Sequence, residues 1–145
     1  MSKKSNRLGK LPPKYRFFLN HYQEYRFTNC PQCDRLMKVR KHPFLVHVDP
    51  MQLALLNMSG RYCPSCDLLI LHQDKLEEML VAALLPHNPD VIGNEYLVLG
   101  TVERKVWREA RKQEDGGQKS LDNLHDFKEA VLVEVEAAHW GPAEE

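Results

Sequence analysis

Cys30-Pro31-Gln32-Cys33 and Cys63-Pro64-Ser65-Cys66 contain every cysteine of the chain, as two copies of one Cys-Pro-x-Cys turn. The two-residue spacing lets both sulfurs of a tight knuckle face one ion while backbone N–H groups point at the thiolates, and two such halves complete a four-coordinate site. Cys30, Cys33, Cys63 and Cys66 are therefore the expected ligands of one zinc ion. A closed site of this kind is structural and has no position open to substrate. Other uses of the cysteines fit less well. A thioredoxin-like pair opens a helix after a buried strand, whereas Asp34-Arg35-Leu36-Met37-Lys38-Val39 reads as strand after a knuckle. Disulfides need an oxidising compartment, and Met1-Ser2-Lys3-Lys4-Ser5-Asn6-Arg7 has the charge of a signal peptide with no apolar core behind it. Buried, reduced and unligated thiols are the remaining alternative.

A chain of 145 residues has room for one domain, or for a metal-pinned module and a companion sharing its core. Lys plus Arg equals Asp plus Glu at 20 each, so the whole molecule exerts no general pull on nucleic acid or membrane, and any such pull must be local. No apolar run reaches the roughly 20 residues of a membrane span. The expectation is a soluble, cytoplasmic protein that engages no membrane.

Residues 1–13, basic and closed by Pro12-Pro13, read as a disordered tail, as do 141–145. Aromatics crowd Tyr15 to Phe27, with Phe18, Tyr22 and Tyr25 at helical spacing. They predict a short helix packed on the metal module, leading to a strand at Arg26-Phe27-Thr28; a base-stacking platform with Arg16 and Arg26 interleaved is the functional alternative. Leu36 to Arg40 and Phe44 to Val48 read as two strands joined by Lys41-His42-Pro43. Asp49-Pro50 reads as a helix start, Met51 to Leu56 as a short helix and Ser59-Gly60 as its end. Arg61-Tyr62 and Leu68 to His72 read as the strands flanking the second knuckle. Asp74-Lys75-Leu76-Glu77 is expected to form a capping box, and Leu76, Met79, Leu80, Ala83 and Leu84 line one face of a helix ending before Pro86. Beyond it, Glu95 to Gly100 predicts a strand, Thr101 caps a helix to about Gln113, Ser120 to His125 a brief turn or helix, and Phe127 to Glu136 a half-buried strand. Strand, helix and strand in that order suggest a small crossover.

The seven histidines share no metal-ligand spacing. His42 and His72 lie nearest the knuckles and could replace a cysteine, although four thiolates leave no vacancy. No catalytic nucleophile or phosphate-cradling glycine loop is present; Leu99-Gly100-Thr101 holds a single glycine at a turn. Arg104, Arg108 and Arg111 fall along one face of the predicted helix, flanked by Lys105 and Lys112. That stripe is a candidate contact for nucleic acid or another partner, weighed against an ordinary solvated face interrupted by Glu103, Glu109 and Glu114.

On its two knuckles the chain resembles a zinc ribbon, which implies a binding module for protein or nucleic acid. The order knuckle, hairpin, then Gly60-Arg61-Tyr62-Cys63-Pro64-Ser65-Cys66 running toward a helix with Glu77 and Glu78 is similar to the zinc-binding half of MqsA-type antitoxins. The helix-turn-helix half of that family has no counterpart, since residues 87–140 read as strand, helix, strand. The separation of the knuckles by residues 34 to 62 also resembles that of rubredoxins, which implies iron in the same four thiolates and electron transfer; where rubredoxins place glycine after each second cysteine, this chain has Asp34 and Asp67. The expected fold class is α+β: a zinc-ribbon module over 14–86, with a β-hairpin and short helices, and a strand-helix-strand unit over 87–140. The expected function is non-enzymatic binding around structural Zn2+, with an iron carrier as the alternative.

Overall fold

Alternation of side chains across a sheet, rather than helical periodicity, governs most of the apolar sequence. A computed structural model describes residues 11–22, 25–110 and 122–130. Its strands are Arg16–Asn20 (β1), Lys38–Val48 (β2), Gln52–Cys63 (β3), Leu68–His72 (β4), Tyr96–Thr101 (β5), His125–Asp126 (β6) and Glu129–Ala130 (β7). Gln73–Leu84 (α1) and Arg104–Ala110 (α2) are α-helices, with a single 3-10 turn at Pro89–Val91. The class is α+β, a mixed seven-stranded sheet with two helices, in the order β6-β5-β2-β3-β4-β1-β7.

β6 and β7 stand at opposite ends of that order, yet only Phe127 and Lys128 separate them in sequence. One segment therefore ties the two sheet ends together. It pairs antiparallel with β5 through Gly100↔Asp126 and Thr101↔His125, and parallel with β1 through Arg16↔Glu129 and Phe17↔Ala130. Backbone bonds from Lys14 N to Asp126 O (2.9 Å) and from Lys128 N to Tyr15 O (2.7 Å) complete the seam. The sheet curls on itself as a barrel does.

One face carries the larger core: Phe17, Phe44, Val46, Leu56, Leu69, Leu71 and Val98 pack with Leu76, Leu80 and Leu84 of α1. Phe127 from the closing segment stacks on Phe17 with ring centres 4.3 Å apart. The alternate residues are also covered. Phe18, Leu68 and Ile70 pack against Phe27, Met37, Cys30 and Cys63, while Leu45 meets Val102 and Leu124 beside Leu53, Leu55, Val106 and Trp107.

This two-sided burial corrects several sequence expectations. The aromatic segment expected as a helix is β1, paired in parallel with β4 from Arg16↔Leu68 to Asn20↔His72. Met51 to Leu56 is no helix: Asp49-Pro50-Met51 is the turn, with a cis peptide at Asp49-Pro50, and β3 runs on from Gln52 to Cys63. Apolar residues on both faces of a strand make a continuous run that periodicity cannot tell from a helix. Lys41-His42-Pro43 is not a connection but the middle of one long β2. Pro43 is tolerated there because its carbonyl accepts from Val102 N (3.1 Å), so its nitrogen faces the same side, where pairing with β5 begins only at Phe44↔Thr101. The N-cap of α1 is His72 and makes no side-chain cap bond, so the capping box is not formed; Gln73 Nε2 instead donates to Glu77 Oε2 at 2.8 Å. Thr101 ends β5, and α2 starts at Arg104. Of the strand predicted over Phe127 to Glu136 only β7 is described as strand, and it pairs with β1 rather than with β5. Residues 1–10, 111–121 and 131–145, including the strand predicted through Glu136, lie outside the described residues; Leu11, placed in the tail, bridges to His125.

Gly100 is set by this closure. A Cβ there would collide with the backbone carbonyl of His125 and lie 3.0 Å from Asp126 Cα, so Ala at 100 must push β6 off the sheet. Gly100→Ala is expected to destabilise by ~1–3 kcal/mol, as overpacking does. Urea unfolding measures it, and an unchanged midpoint would show that β6 does not lie against β5.

Candidate metal centre

Both knuckles are turns of antiparallel ribbons. Cys63 ends β3 and pairs with Leu68 at the start of β4, which makes Pro64 to Asp67 the hairpin turn. The first knuckle repeats this in miniature: Asn29 bridges Leu36, Cys30 N donates to Arg35 O (2.8 Å) and Asp34 N to Cys30 O (2.8 Å). Each turn needs a left-handed residue after its second cysteine, and Asp34 (φ 65°) and Asp67 (φ 56°) supply it. Aspartate is among the few residues other than glycine that visit this region.

The four sulfurs lie within 4.8 Å of one another, and those of Cys33 and Cys63 are 3.5 Å apart. A tetrahedron of ~2.3 Å metal–sulfur bonds has edges of about 3.8 Å, so the cluster is positioned to bind a metal ion. Cys30 and Cys63 are fully buried, Cys33 and Cys66 partly. Burial raises the pKa of Cys30 and pushes the Cys66 thiol up to about 12, while the Arg35 backbone amide lowers that of Cys33. Gln32 N–H also donates to Cys30 Sγ at 3.4 Å. Four thiolates together need a cation to offset their desolvation and mutual repulsion.

Side chains around the knuckles tie the cluster to the seam of the sheet. Arg16 donates to Gln32 Oε1 (2.6 Å) from the first knuckle and reaches Glu129 in β7 (3.4 Å). Asp67 accepts from Tyr62 Oη (3.0 Å) and pairs with Lys128 (2.8 Å), and its carbonyl accepts from Arg16 N (2.7 Å). Sequence reading passed over Arg16, Gln32, Tyr62 and Lys128 as anchors; only Asp67, directly after a cysteine of the cluster, carried a signal.

Among the described residues no histidine joins the sulfur cluster. His42 packs between Tyr15 and Phe44, and His72 Nε2 sits 2.6 Å from an Arg26 nitrogen. His125 bonds to Pro12 O (2.8 Å) and Glu103 (3.1 Å). Of the arginine stripe, Arg104 turns back to donate to Lys41 O (3.1 Å), Arg108 is exposed further along α2, and Arg111 lies outside the described residues. Phe18 and Phe27 pack edge to face in the core, which removes them from any stacking platform. No helix among the described residues is long and apolar enough to cross a membrane.

Compared with known proteins, the chain matches no family model, and no curated protein or solved structure matches it. The likenesses to MqsA-type antitoxins and to rubredoxins thus rest on the quoted residues alone.

Proposed function

We propose that this is a non-enzymatic, cytoplasmic protein in which Cys30, Cys33, Cys63 and Cys66 hold structural zinc in a zinc-ribbon-like arrangement, and that its surface is a binding module for a macromolecular partner. The observation that carries the reading is the closed set of four sulfurs at two hairpin turns, each braced by hydrogen bonds to the sheet. Four protein ligands leave no coordination position for chemistry, so the ion would supply folding energy rather than reactivity. Iron in the same thiolates would make an electron carrier. Against it, Asp34 and Asp67 stand where rubredoxin-type knuckles use glycine, although both hold the left-handed conformation of that position.

Metal analysis and the visible spectrum of protein purified without added metal decide between them. A colourless protein with one zinc per chain is expected; a red one with thiolate-to-iron bands would establish the carrier instead.

A further inference from the structure

We infer that the partner of this module is a nucleic-acid strand, whose phosphates are held in the basic cavity between β2 and the start of α2. The inference rests on the binding-module reading and names its ligand. The cavity measures about 390 Å³ and gathers Lys14, Arg40, Lys41 and Arg104 around His42. Glu103 is its one carboxylate, and His125 (3.1 Å) and Lys14 (3.8 Å) already engage it. Among the described residues no carboxylate pairs with Arg40, Lys41 or Arg104. Arg104 is steadied by the Lys41 carbonyl at 3.1 Å, and Arg40 lies over the Tyr62 ring at 5.4 Å. Burial first, and then the fields of Arg40, Lys14 and Arg104, lower the pKa of His42, which shows those cations converging on one place. An anion is the ligand that such a cluster lacks.

The charge does not stop at one anion's width. Val39 also lines a second concavity of about 220 Å³, which carries Arg26, Arg61 and His72. Neutrality of the whole chain hides this concentration: twelve of its twenty Lys and Arg, but three of its twenty Asp and Glu, fall within residues 1–61. A single phosphate would fill one cavity, whereas a phosphodiester strand repeats its charge and can meet cations beyond the first. The first cavity is polar and has no apolar centre of the kind on which protein–protein interfaces are built.

The test uses the full-length, metal-loaded protein and fluorescein-labelled RNA and DNA, single-stranded and duplex, followed by anisotropy over a range of salt. Binding is expected to weaken with salt, and the triple variant Arg40→Gln, Lys41→Gln, Arg104→Gln to lose roughly tenfold or more in affinity. Its salt slope should fall by about 2, at ~0.7–0.9 per phosphate contact removed. Lys75→Gln, an exposed residue of α1 that lines neither cavity, should bind as the parent does. Circular dichroism and metal content of the variants check that folding is unchanged. The inference is overturned if no oligonucleotide binds, if the triple variant binds like the parent, or if inorganic phosphate or a poly-glutamate peptide binds while oligonucleotides do not. Should it fail with one zinc per chain and a metal-dependent fold, the structural-zinc module stands with a different partner; should the fold prove indifferent to metal, the module reading fails first.

Discussion

Serine in place of Cys30, Cys33, Cys63 or Cys66 should release the metal and unfold the ribbons that carry it. A structural thiolate zinc site contributes on the order of 10–16 kcal/mol of apparent binding free energy at neutral pH, against the roughly 5–15 kcal/mol net stability of a whole domain. Losing one of four ligands forfeits enough of that to leave the chain marginal. The damage should also travel in a defined direction. Arg16 links Gln32 of the first knuckle to Glu129, and Asp67 of the second holds Lys128, so the seam between β1 and β7 should lose protection together with the knuckles. Metal content and hydrogen exchange measure both effects, with His42→Ala and His72→Ala as controls expected to keep their zinc. A cysteine variant that retained full metal and native protection, while a histidine variant lost both, would require a different ligand set.

Where the chain states its structure locally, reading it works. Two Cys-Pro-x-Cys turns announce the cysteine cluster, α1 shows one apolar stripe, and Leu68 to His72 and Glu95 to Gly100 sit between clear turn signals. Reading failed where a strand is covered on both faces. Phe17 faces the α1 side and Phe18 the knuckle side, and Ala54 and Leu56 alternate with Leu53 and Leu55 in the same way, so neither stretch shows the polar positions that mark a strand. Asp49-Pro50 is ambiguous for a related reason, since the residues that start a helix also make a turn. The basic cavity was beyond sequence pattern altogether. Lys14, Arg40, Lys41 and Arg104 are distant in the chain, and only the curl of the sheet brings residues before β1, within β2 and at the start of α2 to one place. Reading α2 alone offered Arg104 with Arg108 and Arg111, whereas the fold sets Arg104 beside Lys41.

Phe18→Ala should cost about 3–5 kcal/mol, the usual loss for truncating a buried aromatic, and should weaken metal retention as well. Phe18 is 2% exposed and lies where β1 meets the metal module, packed with Phe27, Cys30, Met37, Cys63, Leu68 and Ile70. Its ring meets Phe27 edge to face at 5.4 Å, and Phe27 in turn meets Tyr25 at 4.6 Å. A cavity there removes the surface against which Cys30 and Cys63 are held, so the sulfurs lose their fixed spacing along with the core contact. Phe44→Ala gives the contrast, because Phe44 is equally buried but belongs to the cluster with α1, away from the sulfurs. Both variants should unfold at lower denaturant, yet under conditions where each is still folded only Phe18→Ala should surrender its metal faster to a chelator. Equal chelation rates would mean that the core on the knuckle side stabilises the sheet without organising the ligands. A stable Phe18→Ala protein that had lost only oligonucleotide binding would instead place this ring on the surface as a stacking platform, and the packing described for β1 would have to be abandoned.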